Sequence, residues 1–215
     1  AIEDLAGAAA LQIRGAGPVP ETIAERLREM PGVAHAVPVL TSTFFALDPP
    51  LAGEALVVFA ADLTDSHAID TLRLVEAGTR VVDDPLAFLV DPTSVIVTRA
   101  FATRQGLAVG DALHVRTPVG PRSLTVRGIL PEGGVGRAYG GNLLVMDVVG
   151  AQALLGRQGE LDHLDVVLAP DARVEDVAAR IRAALPPGLE ALTPPQRGEQ
   201  IDRYLRSYRT LLSGV

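Results

Sequence analysis

Apolar and polar positions in this 215-residue chain switch between a period near two and a period near 3.6, and the order of the switches outlines its elements. Near the start, Ala9-Ala10-Leu11-Gln12-Ile13-Arg14 predicts a strand, and Pro20 to Met30 predicts a helix with Ile23, Leu27 and Met30 on one face. Pro31-Gly32 stops that helix, and Val33 to Leu40 predicts a second strand. Near the end the same succession returns. Leu164 to Leu168 is strand-like, Asp171 can cap a helix that carries Val174, Val177, Ala178, Ile181 and Leu185 on one face, and Pro186-Pro187-Gly188 breaks it before the strand Leu189 to Leu192. The two helices share a phrase, AERLR at 24–28 and AARIR at 178–182. One strand-helix-strand unit cannot cover its own apolar face. Two packed side by side form a four-stranded sheet with both helices on one side, the split βαβ arrangement. The predicted fold class is therefore α+β, with one discontinuous subdomain assembled from residues 1–49 and 160–215 around an insertion at 50–159.

The insertion is richer in strand patterns. Leu113 and Val115 alternate with His114 and Arg116, Pro118-Val119-Gly120-Pro121 makes a turn, and Leu124 and Val126 alternate with Thr125 and Arg127, which predicts a hairpin with one buried face. Before it, Ser94 to Thr98 reads as a strand and Ala100 to Gln105 as a short helix, with Gly106 in the left-handed cap position and Leu107 folding back on the helix. Leu56 to Ala61 and Leu143 to Met146 are further strands; Ile69 to Glu76 and Val148 to Leu155 are further helices. Finally, Thr193-Pro194-Pro195-Gln196 has the form of a capping box, and Ile201, Tyr204, Leu205, Tyr208, Leu211 and Leu212 follow at helical spacing. That stripe is expected to be a stalk running into a longer protein, as is the start of the chain from Ile2 to Leu11.

Composition narrows the function classes. With 48% hydrophobic and 21% charged residues the chain is expected to fold, and no apolar run reaches the ~20 residues that cross a bilayer. Mean hydropathy is +0.28. The net charge of −7 with scattered arginines, no Trp and 4% aromatics argues against a nucleic-acid partner. The absence of Cys removes disulfides and thiol chemistry.

Candidate chemistry is sparse. PEGGVGRAYGGN, residues 131–142, resembles a phosphate loop, but Gly141 is followed by Asn142 rather than Lys and then by a strand, so nucleotide binding is not expected. The segment predicts a mobile excursion between two strands, with Arg137 and Tyr139 as its large groups and as the candidate partner-binding residues. Asp162, His163 and Asp165 form the best metal candidate, since His163 and Asp165 share a strand face. A site needs three convergent ligands, however, and His35, His67, His114 and His163 show no paired spacing. Asp83-Asp84-Pro85 reads as a turn start rather than an acid–base pair, and Ser66-His67 lacks a nucleophile elbow. Arg116, Arg122 and Arg127 make a wet hairpin face. No catalytic residue, metal or cofactor is expected, and the chain is not expected to be an enzyme.

The order LQIRG, ETIAERLREMPGVAHAVPV, SVIVTRAFATRQGLAVGDALHVRTPVGPRSLTVRGIL, NLLVMDVVGAQALLG and LDHLDVVLAP resembles the MacB-like periplasmic core domain of FtsX-like ABC transporter permeases. The resemblance implies a porter-like subdomain from the two chain ends and an inserted, Sabre-like subdomain between them. It also implies a position between two transmembrane helices, on the periplasmic or extracytoplasmic face of the inner membrane. As partners it implies a cytoplasmic ABC ATPase, a periplasmic adaptor or lipoprotein, and a second copy in a dimeric transporter. In that setting ATP-driven motion would pass through the stalks as mechanotransmission. Two other classes compete: a free-standing extracytoplasmic binding module, and a hydrolase using Asp83 or the Asp162–His163–Asp165 group.

Overall fold

The computed structural model describes residues 9–72, 74–76, 79–132 and 134–193. In chain order the elements are β1 Leu11–Gly15, β2 Val19–Pro20, α1 Thr22–Arg28, β3 Val33–Ala46, β4 Ala55–Ala61, α2 Ser66–Thr71, β5 Val75–Glu76, β6 Thr79–Arg80 and α3 Pro85–Val90. They continue with β7 Ser94–Thr98, α4 Arg99–Gln105, β8 Ala112–Thr117, β9 Gly120–Leu130, a 3₁₀ helix Gly134–Gly141, β10 Leu143–Asp147, α5 Val148–Leu155, β11 Glu160–Leu161, β12 His163–Leu168, α6 Val174–Ala184 and β13 Leu189–Leu192. The fold is α+β, mostly sheet.

One nine-stranded sheet runs β13-β1-β12-β3-β4-β10-β7-β9-β8, and β8 pairs back onto the end of β3. Its first four strands are all antiparallel neighbours and come from the two ends of the chain. The alternation anticipated above is what divides their faces. Leu11, Ile13, Leu164 and Val166 point to the side covered by Ile23 and Leu27 of α1 and by Val177 and Ile181 of α6, all within one apolar core. Gln12, His163 and Asp165 are left to the opposite face, together with Val37 and Val39. Full burial of side chains such as Leu11 and Ile13 stabilises by roughly 1.5–3 kcal/mol each.

The other strands close on themselves. From β3 the order β4-β10-β7-β9-β8 returns to β3 through the pairs Phe45–Arg116 and Ala46–Val115, a closed ring of six strands. β4–β10 and β7–β9 are parallel; the remaining ring pairs are antiparallel. Its interior is filled by alternate residues: Phe44, Leu56, Val58, Val97, Leu113, Leu124 and Met146 belong to the core that continues under α1 and α6. A second apolar layer, which includes Phe59, Leu72, Phe88, Ile96 and Val145, lies between the outer face of the sheet and α2 and α3.

Several expected boundaries move, each for a tertiary reason. α1 begins at Thr22 rather than Pro20 because Val19 and Pro20 pair with Leu161 and Glu160. β3 runs six residues past Leu40, and Thr41 to Phe45 pair with β4. α2 starts earlier than expected, where the Asp65 carboxylate accepts the His67 N–H at 2.8 Å; the predicted helical end at Val75–Glu76 is instead strand, paired with β6. Asp171 does not cap α6, whose N-cap is Arg173 with no side-chain cap bond. The hairpin turn is Pro118-Val119, with Gly120 already in β9 at φ 118°. Residues 2–8 of the expected entering stalk and the predicted helix from Pro194 onward lie outside the described residues. No helix among the described residues is long and apolar enough to cross a membrane.

Candidate functional site

The glycine-rich segment between the two strands has regular structure: Gly134–Gly141 forms a 3₁₀ helix against α4. Its glycines are there for space and handedness. A Cβ on Gly136 would stand 2.2 Å from the Pro131 carbonyl oxygen, and one on Gly141 would stand 2.8 Å from the Ala100 Cβ. Gly140 and Gly141 both have positive φ. Tyr139 also has a positive φ, 54°, a conformation that costs a non-glycine residue free energy and is held only where surrounding contacts enforce it. The Asn142 N–H donates to the Tyr139 carbonyl at 3.2 Å, and the segment's exit is held by further bonds. The Thr98 hydroxyl, which also caps α4, donates to the Gly141 carbonyl. The Asn142 amide donates to Glu54 at 3.0 Å, and Arg104 donates to the Asn142 side-chain oxygen and to Glu54 at 3.4 Å. Arg137 and Tyr139 are exposed on this rim.

The candidate metal triad is separated. Asp162 turns to Thr41, whose N–H and hydroxyl both donate to its Oδ2 at 2.7 Å, and to Arg157, which donates to Oδ1 at 2.9 Å. His163 and Asp165 do share a strand face, with Nε2 and Oδ2 3.5 Å apart and both side chains 2% exposed. Gln12 donates to Asp165 Oδ1 at 2.7 Å and accepts from Arg14. His163 Nε2 and Asp165 Oδ2 have no hydrogen-bond partner among the described residues. This is a buried polar line across β1 and β12 beneath α2, not a ligand cage; no cluster of three metal-ligating side chains occurs among the described residues.

The remaining candidates are structural. Asp84 caps α3 by accepting the Ala87 N–H at 3.0 Å, with Pro85 at the first helical position, so Asp83-Asp84-Pro85 begins a helix rather than a turn. Ser66 and His67 open α2. Arg127 pairs with Asp91 at 3.2 Å and Arg122 donates to the Pro121 carbonyl, while Arg116 is exposed. His114 sits 2.9 Å from Asp48. One pairing escaped the sequence: His35 and His67 stack with centroids 5.4 Å apart at 28°, and His35 Nδ1 lies 3.1 Å from the Asp65 carboxylate. No local signal could have revealed it, because β3 and α2 meet only through the tertiary fold.

Electrostatics follow the same geometry. Burial works to raise the Asp162 pKa, but the Thr41 and Arg157 hydrogen bonds outweigh it and hold the group below its ordinary 3.8. The Thr93 hydroxyl lowers Asp91, with Thr93 N–H and Arg127 assisting against burial. Burial dominates at Asp147, whose pKa rises although the Leu63 and Val149 N–H groups donate to it. An acid depressed in the folded state contributes stability that is present in full above 3.8 and lost as pH falls through its folded value. Asp162→Asn is therefore expected to flatten the acid limb of the stability curve below pH 3.8 and leave its shape above pH 5 or so unchanged. Thermal melts across that range check it, and an unaltered acid limb would count against the Asp162 assignment.

Comparison with known proteins agrees with this architecture. The fold is similar to the periplasmic region of MacB from Actinobacillus actinomycetemcomitans, with a TM-score of 0.60, 9% identity, and 91% of this chain and 94% of that one covered. The extracellular domain of the noncanonic ABC-type transporter YknZ from Gram-positive bacteria is similar at a TM-score of 0.60 and 13% identity, over 85% of this chain and 99% of that domain. In sequence, an uncharacterised ABC transporter permease protein, Rv0987 of Mycobacterium tuberculosis, is 28% identical over 153 residues. The match takes in 71% of this chain but 17% of that relative's length. The MacB-like periplasmic core domain family matches residues 2–184. The chain belongs to the MacB-like periplasmic core domain family.

Proposed function

We propose that this domain is the extracytoplasmic part of an ABC transporter permease and transmits ATP-driven motion from the membrane as a rigid body. The observation that carries the reading is the continuity of the sheet. The four strands from the chain ends and the closed six-stranded ring share β3, and one apolar core runs under both. A closed ring with a filled interior has no hinge that could take up a displacement applied at the chain ends, so tilting those ends moves the whole body. In this reading residues 1–49 and 160–215 form the driven, porter-like part and residues 50–159 the part presented outward. The 3₁₀ rim with Arg137 and Tyr139 is the face that meets an adaptor or lipoprotein. ATP would be hydrolysed by a separate cytoplasmic subunit, and a second copy of the permease would complete a dimer.

The test uses the full-length permease reconstituted with its ATPase. The 215 residues of this domain contain no Cys, so, once any cysteine elsewhere in the permease and its ATPase is replaced, spin labels can be placed at the exposed positions Glu25→Cys on α1 and Arg116→Cys on β8. The expected result is an intradomain distance that does not change between nucleotide-free and ATP-bound states, while the distance between Glu25→Cys labels on two subunits does. An ATP-dependent change within the domain would overturn the rigid-body mechanism. No change in either distance would overturn the coupling itself.

A further inference from the structure

Protein interiors are close-packed, with few voids larger than a water molecule. The outer layer of this sheet departs from that rule. A cavity of about 190 Å³ opens where α2, α3 and β7 meet, and its eight lining side chains are all apolar, among them Leu63, Ile69, Phe88, Leu89 and Ile96. It is separate from the polar line through Asp165 and from the 3₁₀ rim. α3 is apolar on both sides: Pro85, Phe88 and Leu89 face the cavity, while Leu86 and Val90 are 71% and 70% exposed. A helix with apolar groups all round is normally buried.

The size and charge of the site define its occupant. A cavity of roughly 150 Å³ lined by Leu, Ile and Phe is dry and takes a benzene-sized guest, whereas drug-sized ligands fill about 300 Å³ or more. With no polar side chain among the described residues that line it, the enclosed part of the ligand carries no hydrogen-bonding group. Among the described residues, the charged ones next in sequence to the lining are Asp62, Asp70, Asp83 and Asp84, and Arg28 pairs with Asp62 at 2.9 Å. Asp83 and Asp84 are both exposed between the lining residues Val82 and Pro85, which disfavours an anion at the mouth. We infer that this cavity is a binding site for one small uncharged molecule with a single aliphatic or aromatic group. The site is a property of the domain itself and does not depend on the transport reading.

The experiment is a methyl-resolved NMR titration of the domain with 1-octanol and, in parallel, with octanoate. Octanol is expected to give saturable shifts confined to the methyls of the lining residues Leu63, Ile69, Leu74, Val82, Leu89 and Ile96. Octanoate is expected to bind about fivefold more weakly, the effect of one like-charge contact in water. Leu89→Phe, which fills the cavity, is expected to abolish the octanol shifts, and Ile69→Phe serves the same purpose if the first variant is poorly folded by circular dichroism. The inference is overturned if octanol gives no saturable shifts up to its solubility, or gives shifts only at Leu86 and Val90. Undiminished octanol binding by a folded filled variant overturns it as well, and equal binding of octanoate overturns the selection against anions.

Discussion

Replacing Phe44 with alanine is expected to destabilise the domain by about 3–5 kcal/mol, the range for emptying a buried aromatic site. Phe44 lies on β3, fully excluded from solvent inside the six-stranded ring and opposite Leu56 of β4. Its neighbour Phe45 points outward and is 44% exposed. Phe45→Ala is expected to cost less than about 1 kcal/mol, as surface substitutions do. Urea unfolding distinguishes the two, the midpoint falling for Phe44→Ala with an unchanged m-value. Equal losses for both variants would mean that the ring interior is not the packed element described here. β3 is the one strand shared by the ring and the four-stranded part, so a void beside it weakens the packing that unites the two.

Asp165→Ala has the second largest expected effect. It removes the acceptor of the Gln12 amide, 2.7 Å away, which leaves that buried donor unpaired, and it takes away the carboxylate 3.5 Å from the His163 ring, whose Nε2 has no hydrogen-bond partner among the described residues to begin with. An orphaned buried polar group costs about 1–3 kcal/mol, whereas replacing all members of a buried polar group by apolar residues of similar shape is nearly neutral. The triple variant Gln12→Leu, His163→Leu, Asp165→Leu is therefore expected to be more stable than Asp165→Ala alone. Denaturation of the wild type and both variants at one pH tests this ordering. A triple variant less stable than the single one would show that the three side chains contribute beyond mutual satisfaction.

Much of the fold was legible because its signals are local. The strand Ser94–Thr98, the helix Val148–Leu155 and the strand Leu189–Leu192 have the expected bounds, and Gly106 occupies the left-handed cap with φ 73°. The repeated strand-helix-strand unit at the two ends predicts a shared sheet, since neither copy can cover its apolar face alone, and β13, β1, β12 and β3 are neighbours in the sheet. The continuation of β3 through Thr41, Thr43, Phe44 and Phe45 was available as well, because β-branched and aromatic residues favour strands. The candidate sites fared differently. Composition marks the Gly134–Gly141 segment as glycine-rich, but that Gly136 and Gly141 lack room for a Cβ against Pro131 and Ala100 is something composition does not reveal. His35 and His67 likewise meet across 32 residues of chain with no motif to mark them.

By itself the sequence determined most of the longer strands and helices and which of their faces is apolar, because periodicity, caps and breakers act over a few residues. Only the tertiary structure decided that β8 returns to β3, that Asp162 turns away from His163 and Asp165, and that a cavity remains under α3. Those outcomes depend on contacts between residues tens to more than a hundred positions apart. Their geometry is set when the whole sheet closes and by nothing in the local pattern.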